Sequence, residues 1–291
     1  MIVGSLDASA TIRECLSAIR AACEGIDAEI LVVDASSDGS VGVARATLPT
    51  ARVLSLPKGT LVPALWGAGL GEARGRVVAF TIAQCTVEPT WARALLEGIA
   101  AGAAGVGGRL GVRRGTSATG RATFYLRYSA WLSVPDGPAH EIAGDNAAYD
   151  HASLRAVRES ASDSFWEVEA HARLRAAGRR LVVHPGATAW FTDDSALATM
   201  GARRFEHGRH SGAFRVRSGI RTRWQMLLGA PLVPFVLFVR VARRVVRAPG
   251  HMVGFVTSLG AFFVLAGAWA AGEAVGGFTA GAQMREALRA A

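Results

Sequence analysis

The chain has 291 residues, of which 51% are apolar and only 19% charged, with a mean hydropathy of +0.26. These values exclude disordered, collagen-like and disulfide-scaffold classes, and they exceed the apolar content usual for a purely soluble domain. The formal charge of +9 is concentrated in one segment: Arg203 to Arg247 holds eleven Arg and one acid, Glu206, while the rest of the chain carries 21 basic and 22 acidic groups.

The start, Met1-Ile-Val-Gly-Ser5, has neither the basic nor the apolar region of a secretory signal, so the N-terminal domain is expected in the cytoplasm. Ile2–Val3 reads as a short strand, and Ile12, Leu16, Ile19 and Ala22 are spaced for one helix face. Ala28–Asp34 is a β-branched run that ends in an acid and is followed by a turn-rich Ala35-Ser-Ser-Asp-Gly39. Arg52–Leu56 predicts a strand, Ala64–Gly75 a helix, Arg76–Thr81 a strand and Thr90–Ala101 a helix. Strands alternating with helices of this length imply an α/β fold with a mostly parallel sheet covered on both faces. Functional groups then belong at the carboxyl ends of the strands, here Ser5, Asp7, Asp34 and Gln84. Asp7 has a second reading as a cap for the next helix. The three cysteines, Cys15, Cys23 and Cys85, lack CxxC spacing and read as thiols of a reducing compartment. Residues 105–150 are Gly-rich and less regular. Ser164–Gly178 predicts a helix with a left-handed glycine cap, and Arg180–His184 a strand stopped by Pro185.

Two apolar stretches follow. Trp224–Val239 lacks charge but holds Pro231 and Pro234, and at about 24 Å it falls short of a bilayer core. Pro249–Gly272 is charge-free and long enough to cross. The link between them carries four Arg and is expected to stay cytoplasmic. The first stretch is therefore expected to be interfacial or re-entrant and the second to span. A basic stretch interrupted by apolar runs, with no zinc spacing or basic heptads, points to a membrane or an anionic substrate and not to nucleic acid. Lys58 is the only lysine, a skew that reads as a high-GC bacterial coding sequence.

Four segments in order carry a family resemblance. Val32-Val-Asp-Ala-Ser-Ser-Asp-Gly39 resembles V-V-D-D-G-S-x-D-G, and Ala64-Leu-Trp-Gly-Ala-Gly-Leu-Gly-Glu-Ala-Arg-Gly75 resembles A-R-N-x-G-x-x-x-A-x-G. Gly144-Asp-Asn-Ala-Ala-Tyr149 resembles G-x-N-x-A-[FY], and the helix from Trp166 to Gly178 resembles E-D-x-[DE]-L-x-x-R-L-x-x-x-G. Together they are similar to family 2 glycosyltransferases of the GT-A fold. The resemblance implies an inverting transfer of a sugar from a nucleotide-diphosphate donor to a lipid-linked or membrane-proximal acceptor, in the cell envelope. It implies a domain over 1–215, followed by an Arg-rich juxtamembrane segment with a short apolar helix (216–250), a transmembrane helix (251–273) and a tail (274–291). The catalytic domain is expected on the cytoplasmic face of a bacterial inner membrane.

The chain also departs from the pattern. The family's D-x-D, which holds Mg²⁺ or Mn²⁺, falls on Phe80-Thr-Ile-Ala-Gln-Cys85, so Ile82 and Gln84 replace the carboxylates. A Mg²⁺ or Mn²⁺ ion is possible through a ligand such as Asp145 or Glu88, although the D-x-D carboxylates are absent. Trp66 stands where the family has Asn. This leaves a metal-independent enzyme that uses cationic side chains, or a catalytically silent relative that binds a nucleotide or partner. Arg203–Arg215 resembles an R-x-F-x-H-G-R segment of membrane-bound members, which makes Arg204, His207 and Arg209 candidate donor ligands beside a reading as lipid contacts. Aligning Arg173-Leu174 and Gly178 with the family helix puts Glu167 at the catalytic Asp, with Glu169 on another helix face. Asp145 is the candidate for orienting the acceptor hydroxyl.

Overall fold

In the computed structural model the described residues are 1–133, 135–157 and 164–290. They pack as two compact units, one from residues 1–113 and 134–192, the other from 114–133 and 193–291.

The first unit opens with β1 (Ile2–Ser5), α1 (Ile12–Ala22), β2 (Leu31–Asp34), α2 (Ser40–Thr47), β3 (Arg52–Ser55) and α3 (Val62–Glu72). It continues with β4 (Val77–Ile82), β5 (Cys85–Val87), α4 (Trp91–Ala100) and β6 (Gly105–Val112). After α5 (Ala118–Tyr128), which belongs to the second unit, come β7 (Gly137–Ala139), β8 (Asn146–Asp150), α6 (His151–Val157), α7 (Glu167–Ala176) and β9 (Leu181–Phe191). The strands form one sheet in the order β3-β2-β1-β4-β8-β6-β9-β5, with β7 on β9. β1, β2, β3 and β4 are parallel and β8 runs against β4. The fully buried Leu31–Val33 run explains why β2 reads as continuously apolar, because both sheet faces are covered. α1 turns Ile12, Cys15, Leu16 and Ile19 inward, as its periodicity predicts. The chain moves outward from β1 to β3 and returns on the other side of β1 as β4. That reversal makes the carboxyl ends of β1 and β4 the switch point at which open α/β sheets bind ligands.

Two expectations change here. The Gly-rich stretch after 104 is β6, a strand of eight residues. A Cβ at Gly108 would fall 1.5 Å from Ala187 O, and one at Gly107 would fall 2.5 Å from Ile142 Cβ, so close backbone approach requires the glycines. β9 does not stop at Pro185 but continues to Phe191. Its pairing with β6 shifts register between Gly107 and Arg109, and this irregularity accommodates a residue without an N–H.

The second unit contains α5, α8 (Leu197–Arg217), α9 (Arg223–Gly229), α10 (Val233–Val246), α11 (Met252–Val256) and α12 (Leu259–Ala290). The boundary expected after residue 215 thus lies inside α8. Among the described residues two segments are long and apolar enough to cross a membrane, Arg223–Val246 and Leu259–Ala280. The first is longer than the sequence suggested, because Pro231 and Pro234 occupy opening positions of successive helical turns, where no N–H is missed. α12 lies along α8. A Cβ at Gly208 would fall 2.2 Å from Trp269 O, and one at Gly276 would fall 1.8 Å from Arg209 O, so paired G-x-x-x-G spacings bring the two backbones together. Glu273 is buried in this pair, accepting from Ser211 Oγ at 3.1 Å and pairing with Arg215 at 3.0 Å.

Candidate functional site

Strand register gathers the site. Ser5 lies opposite Asp34, and Gly4 lies opposite Ile82 on the other side. Ala83 N donates to Gly4 O at 2.9 Å, which holds the turn with Gln84 against the end of β1. Asn146 lies opposite Thr81 in antiparallel β8, so Asp145 reaches the same edge. Four sequence candidates, Ser5, Asp34, Gln84 and Asp145, therefore meet at the carboxyl ends of β2, β1 and β4.

Asp7 joins them through a stitched pair of loops. The buried Asp34 carboxylate accepts from Ser36 N at 2.9 Å and Ser36 Oγ at 2.7 Å, and Ser36 Oγ accepts from Asp7 N at 2.7 Å. Ser37 N donates to Asp7 Oδ1 at 3.0 Å. Asp7 has a φ of 44°, the single positive value among described non-glycine residues. It serves as a loop bridge and not as the helix cap, since the cap position of α1 is Thr11. Asp38 accepts from Ser9 N at 2.9 Å and Ser40 N at 3.1 Å. Burial opposes its charge, but hydrogen bonds from Ser40 and Ser9 outweigh it and hold the carboxyl at about 2. Ser36 and Ser40 were hidden in a sequence that looked like an ordinary turn. Ser5 Oγ is buried and has no hydrogen-bond partner among the described residues. Each Asp34 oxygen has a second lone pair. The edge thus keeps a donor and acceptors of the kind a nucleobase edge and a ribose diol engage.

Glu167 enters from α7. A Cβ on Gly144 would fall 3.3 Å from Glu167 Cβ and Cδ and 3.2 Å from the Trp66 ring, so the side chain of Glu167 lies over the glycine next to Asp145. Phe165 fixes this approach. It stacks on Phe80 with centroids 4.5 Å apart, meets Trp66 and Tyr149 edge-on, and donates its N–H to Pro63 O at 2.7 Å. Trp66, standing where the family has Asn, is a core residue whose Nε1 donates to Thr81 O at 3.1 Å. Glu169 turns away and pairs with Arg173 at 3.8 Å on the helix surface. Asn146 is a structural tie, because its amide donates to Arg109 O and Ala187 O and accepts from Trp91 Nε1.

Behind Glu167 runs a hydrogen-bonded relay, buried at Tyr149 and His171 and half-buried at Glu141, that the sequence did not reveal. Tyr149 Oη lies 2.7 Å from His171 Nε2, and His171 Nδ1 lies 2.5 Å from Glu141 Oε2. Arg175 donates to Glu141 Oε1 at 2.8 Å. Burial, with the negative charges of Glu167 and Glu141, raises the Tyr149 phenol well above its ordinary range, so it stays protonated. Burial lowers His171 against the pull of Glu141. The consistent assignment is a neutral imidazole that accepts from Tyr149 and donates Nδ1–H to Glu141. Residues 141, 149 and 171 have no telltale spacing, and they meet only where the loop before β8, β8 itself and α7 pack together.

The end of β4 does not fit a divalent ion. Ile82 is buried and offers no donor, and Gln84 offers one neutral oxygen, whereas Mg²⁺ is held through carboxylates and water. Glu88 is engaged by Trp190 Nε1. No cluster of three potential ligands occurs among the described residues.

The remaining candidates belong to the second unit. The Arg204 guanidinium lies 4.4 Å over the Trp269 ring, and Arg209 pairs with Glu206 at 2.8 Å. Burial and the charges of Arg127, Arg204 and His210 lower the His207 pKa, so its imidazole is neutral at pH 7.

The profile of glycosyl transferase family 2 matches residues 2–163, more than half of the chain. The chain belongs to that family and is a glycosyltransferase with the GT-A fold. A solved mycobacterial protein is 18% identical with a TM-score of 0.50, covering 76% of this chain and 75% of that one. The mannosyltransferase PcManGT from Pyrobaculum calidifontis, solved with GDP-Man and Mn²⁺, is 18% identical with a TM-score of 0.46, covering 99% and 79%. TarS of S. aureus is 15% identical with a TM-score of 0.43, covering 74% of this chain and 39% of that one. No curated protein is similar enough in sequence to count as a relative.

Proposed function

We propose that this glycosyltransferase moves a sugar from a nucleotide-diphosphate donor to a lipid-linked or membrane-proximal acceptor with inversion, without a bridging divalent ion. Asp34 and Ser5 engage the nucleoside, steadied by Asp7 through Ser36, while Gln84 lines the end of β4 and Asp145 orients the acceptor hydroxyl. Glu167 is the base. It takes the acceptor proton as the acceptor oxygen bonds to the anomeric carbon, the bond from that carbon to the diphosphate oxygen breaks, and the nucleoside diphosphate leaves. The observation that carries the reading is the Glu167 side chain lying over Gly144, beside Asp145, at the edge where Asp34 and Ser5 end. The apolar helices of the second unit support action at a membrane, proposed to be the cytoplasmic face of a bacterial inner membrane.

Glu167→Gln keeps size and loses the ability to take a full proton. It is expected to lower turnover by about 10²–10⁴-fold with donor affinity unchanged, whereas Glu169→Gln stays close to wild type. Wild-type turnover in Glu167→Gln would overturn the assignment. The buried Ile82 favours a second reading, donor binding without transfer, and a wild-type chain that binds a donor yet transfers from none would establish it.

A further inference from the structure

The second unit exposes an apolar edge that no described residue of the unit covers. Leu228 is 74% exposed, Leu232 64%, Phe235 62%, Val236 53% and Val253 76%. Along α10 and its two flanking residues, Leu232, Phe235, Val236 and Val239 follow helical spacing on one face, and Arg240, Arg243 and Arg247 are exposed beside them. The opposite face is anchored: Val241 and Val245 are buried, Phe238 stacks on Phe255, and Arg244 donates to Ser129 Oγ at 3.1 Å. An apolar face fringed by arginines matches a bilayer interface, where the rings and aliphatic chains enter the acyl boundary and the guanidiniums meet anionic headgroups.

The packing of α12 argues against a simple span. Its apolar part lies along α8, which carries Arg203, Arg204, Glu206, Arg209, Arg215 and Arg217, and it holds Glu273 against Arg215. A crossing α12 would take these charges into hydrocarbon, where ionised side chains are costly.

We propose that the second unit docks in the plane of an anionic phospholipid surface through the apolar edge of α9, α10 and α11, with Arg240, Arg243 and Arg247 on the headgroups and no helix crossing. The proposal narrows the membrane part of the functional reading and is independent of the chemistry at Glu167.

The test adds the full chain to sealed vesicles of phosphatidylcholine alone or with about a third phosphatidylglycerol. Flotation is expected to be at least about tenfold stronger with the anionic vesicles. Replacing Arg240, Arg243 and Arg247 together by Glu should abolish that preference, and replacing them by Lys should retain it, which separates charge from misfolding. Single cysteines at Ser218, Gly250 and Thr279 should all react with an impermeant maleimide added outside, measured against the parent chain. Protection of Gly250→Cys or Thr279→Cys would overturn the in-plane arrangement while leaving membrane location intact. Equal flotation with both vesicle types would remove the role of the arginines. A chain that floats with neither and self-associates would show the edge to be a contact between copies and overturn the proposal.

Discussion

His171 couples the acidic site to stability. Its folded pKa lies below the ordinary 6.5, so as pH falls beneath about 6.5 the unfolded chain takes up a proton that the folded one refuses. Stability of the first unit is therefore expected to decline from pH 6.5 downward, as a series of urea titrations would register. His171→Phe should flatten that slope and cost about 1–3 kcal/mol, because Tyr149 Oη and Glu141 lose their buried partner. At Asp34 the expected loss is in binding: Asp34→Ala should weaken donor affinity by about ten- to a hundredfold, by isothermal titration, since hydrogen bonds to a charged group contribute about 1.5–3 kcal/mol. The positions of Asp34 at a strand end and Glu167 at a helix start were legible because each lies in a local motif. Glu141 and His171 were not, because they meet only across sheet and helix.

Secondary elements carry the next layer. α7 aims Glu167 through Phe165, so Phe165→Ala should cost about 3–5 kcal/mol and lower turnover more than it changes donor affinity. Unchanged turnover in a folded variant would detach that aromatic cluster from positioning. Gly272→Val should separate α8 from α12, because a Cβ there falls 2.0 Å from Phe205 O, and the loss should show as a lowered unfolding midpoint. β1 to β4, α1, α3 and α4 were readable from apolar period and turn residues. β6 was not, since its glycines erase the alternation that marks a strand and reflect contacts with distant Ile142 and Ala187. β9 was cut short because Pro185 ordinarily ends a strand, and only the register shift with β6 explains its continuation. The pairing of α8 with α12 left a faint trace in two G-x-x-x-G spacings, masked by the Arg content of one helix.

For the molecule as a whole, composition indicated a membrane-associated protein and the ordered motifs a GT-A glycosyltransferase, and the family match bears out the second. How the apolar segments are arranged was not readable from hydropathy, which scores length and not the charged helix packed alongside. The central claim is that a member of this family with Ile82 and Gln84 at the end of β4 still transfers sugar, and does so without a divalent ion. The direct measurement is transfer by the purified full-length protein from UDP-, GDP- and TDP-sugars to membrane-derived acceptors, with and without EDTA. The expected result is turnover from at least one donor, with the anomeric configuration inverted and the rate unchanged by EDTA. Activity that disappears in EDTA and returns with Mn²⁺ or Mg²⁺ would contradict it.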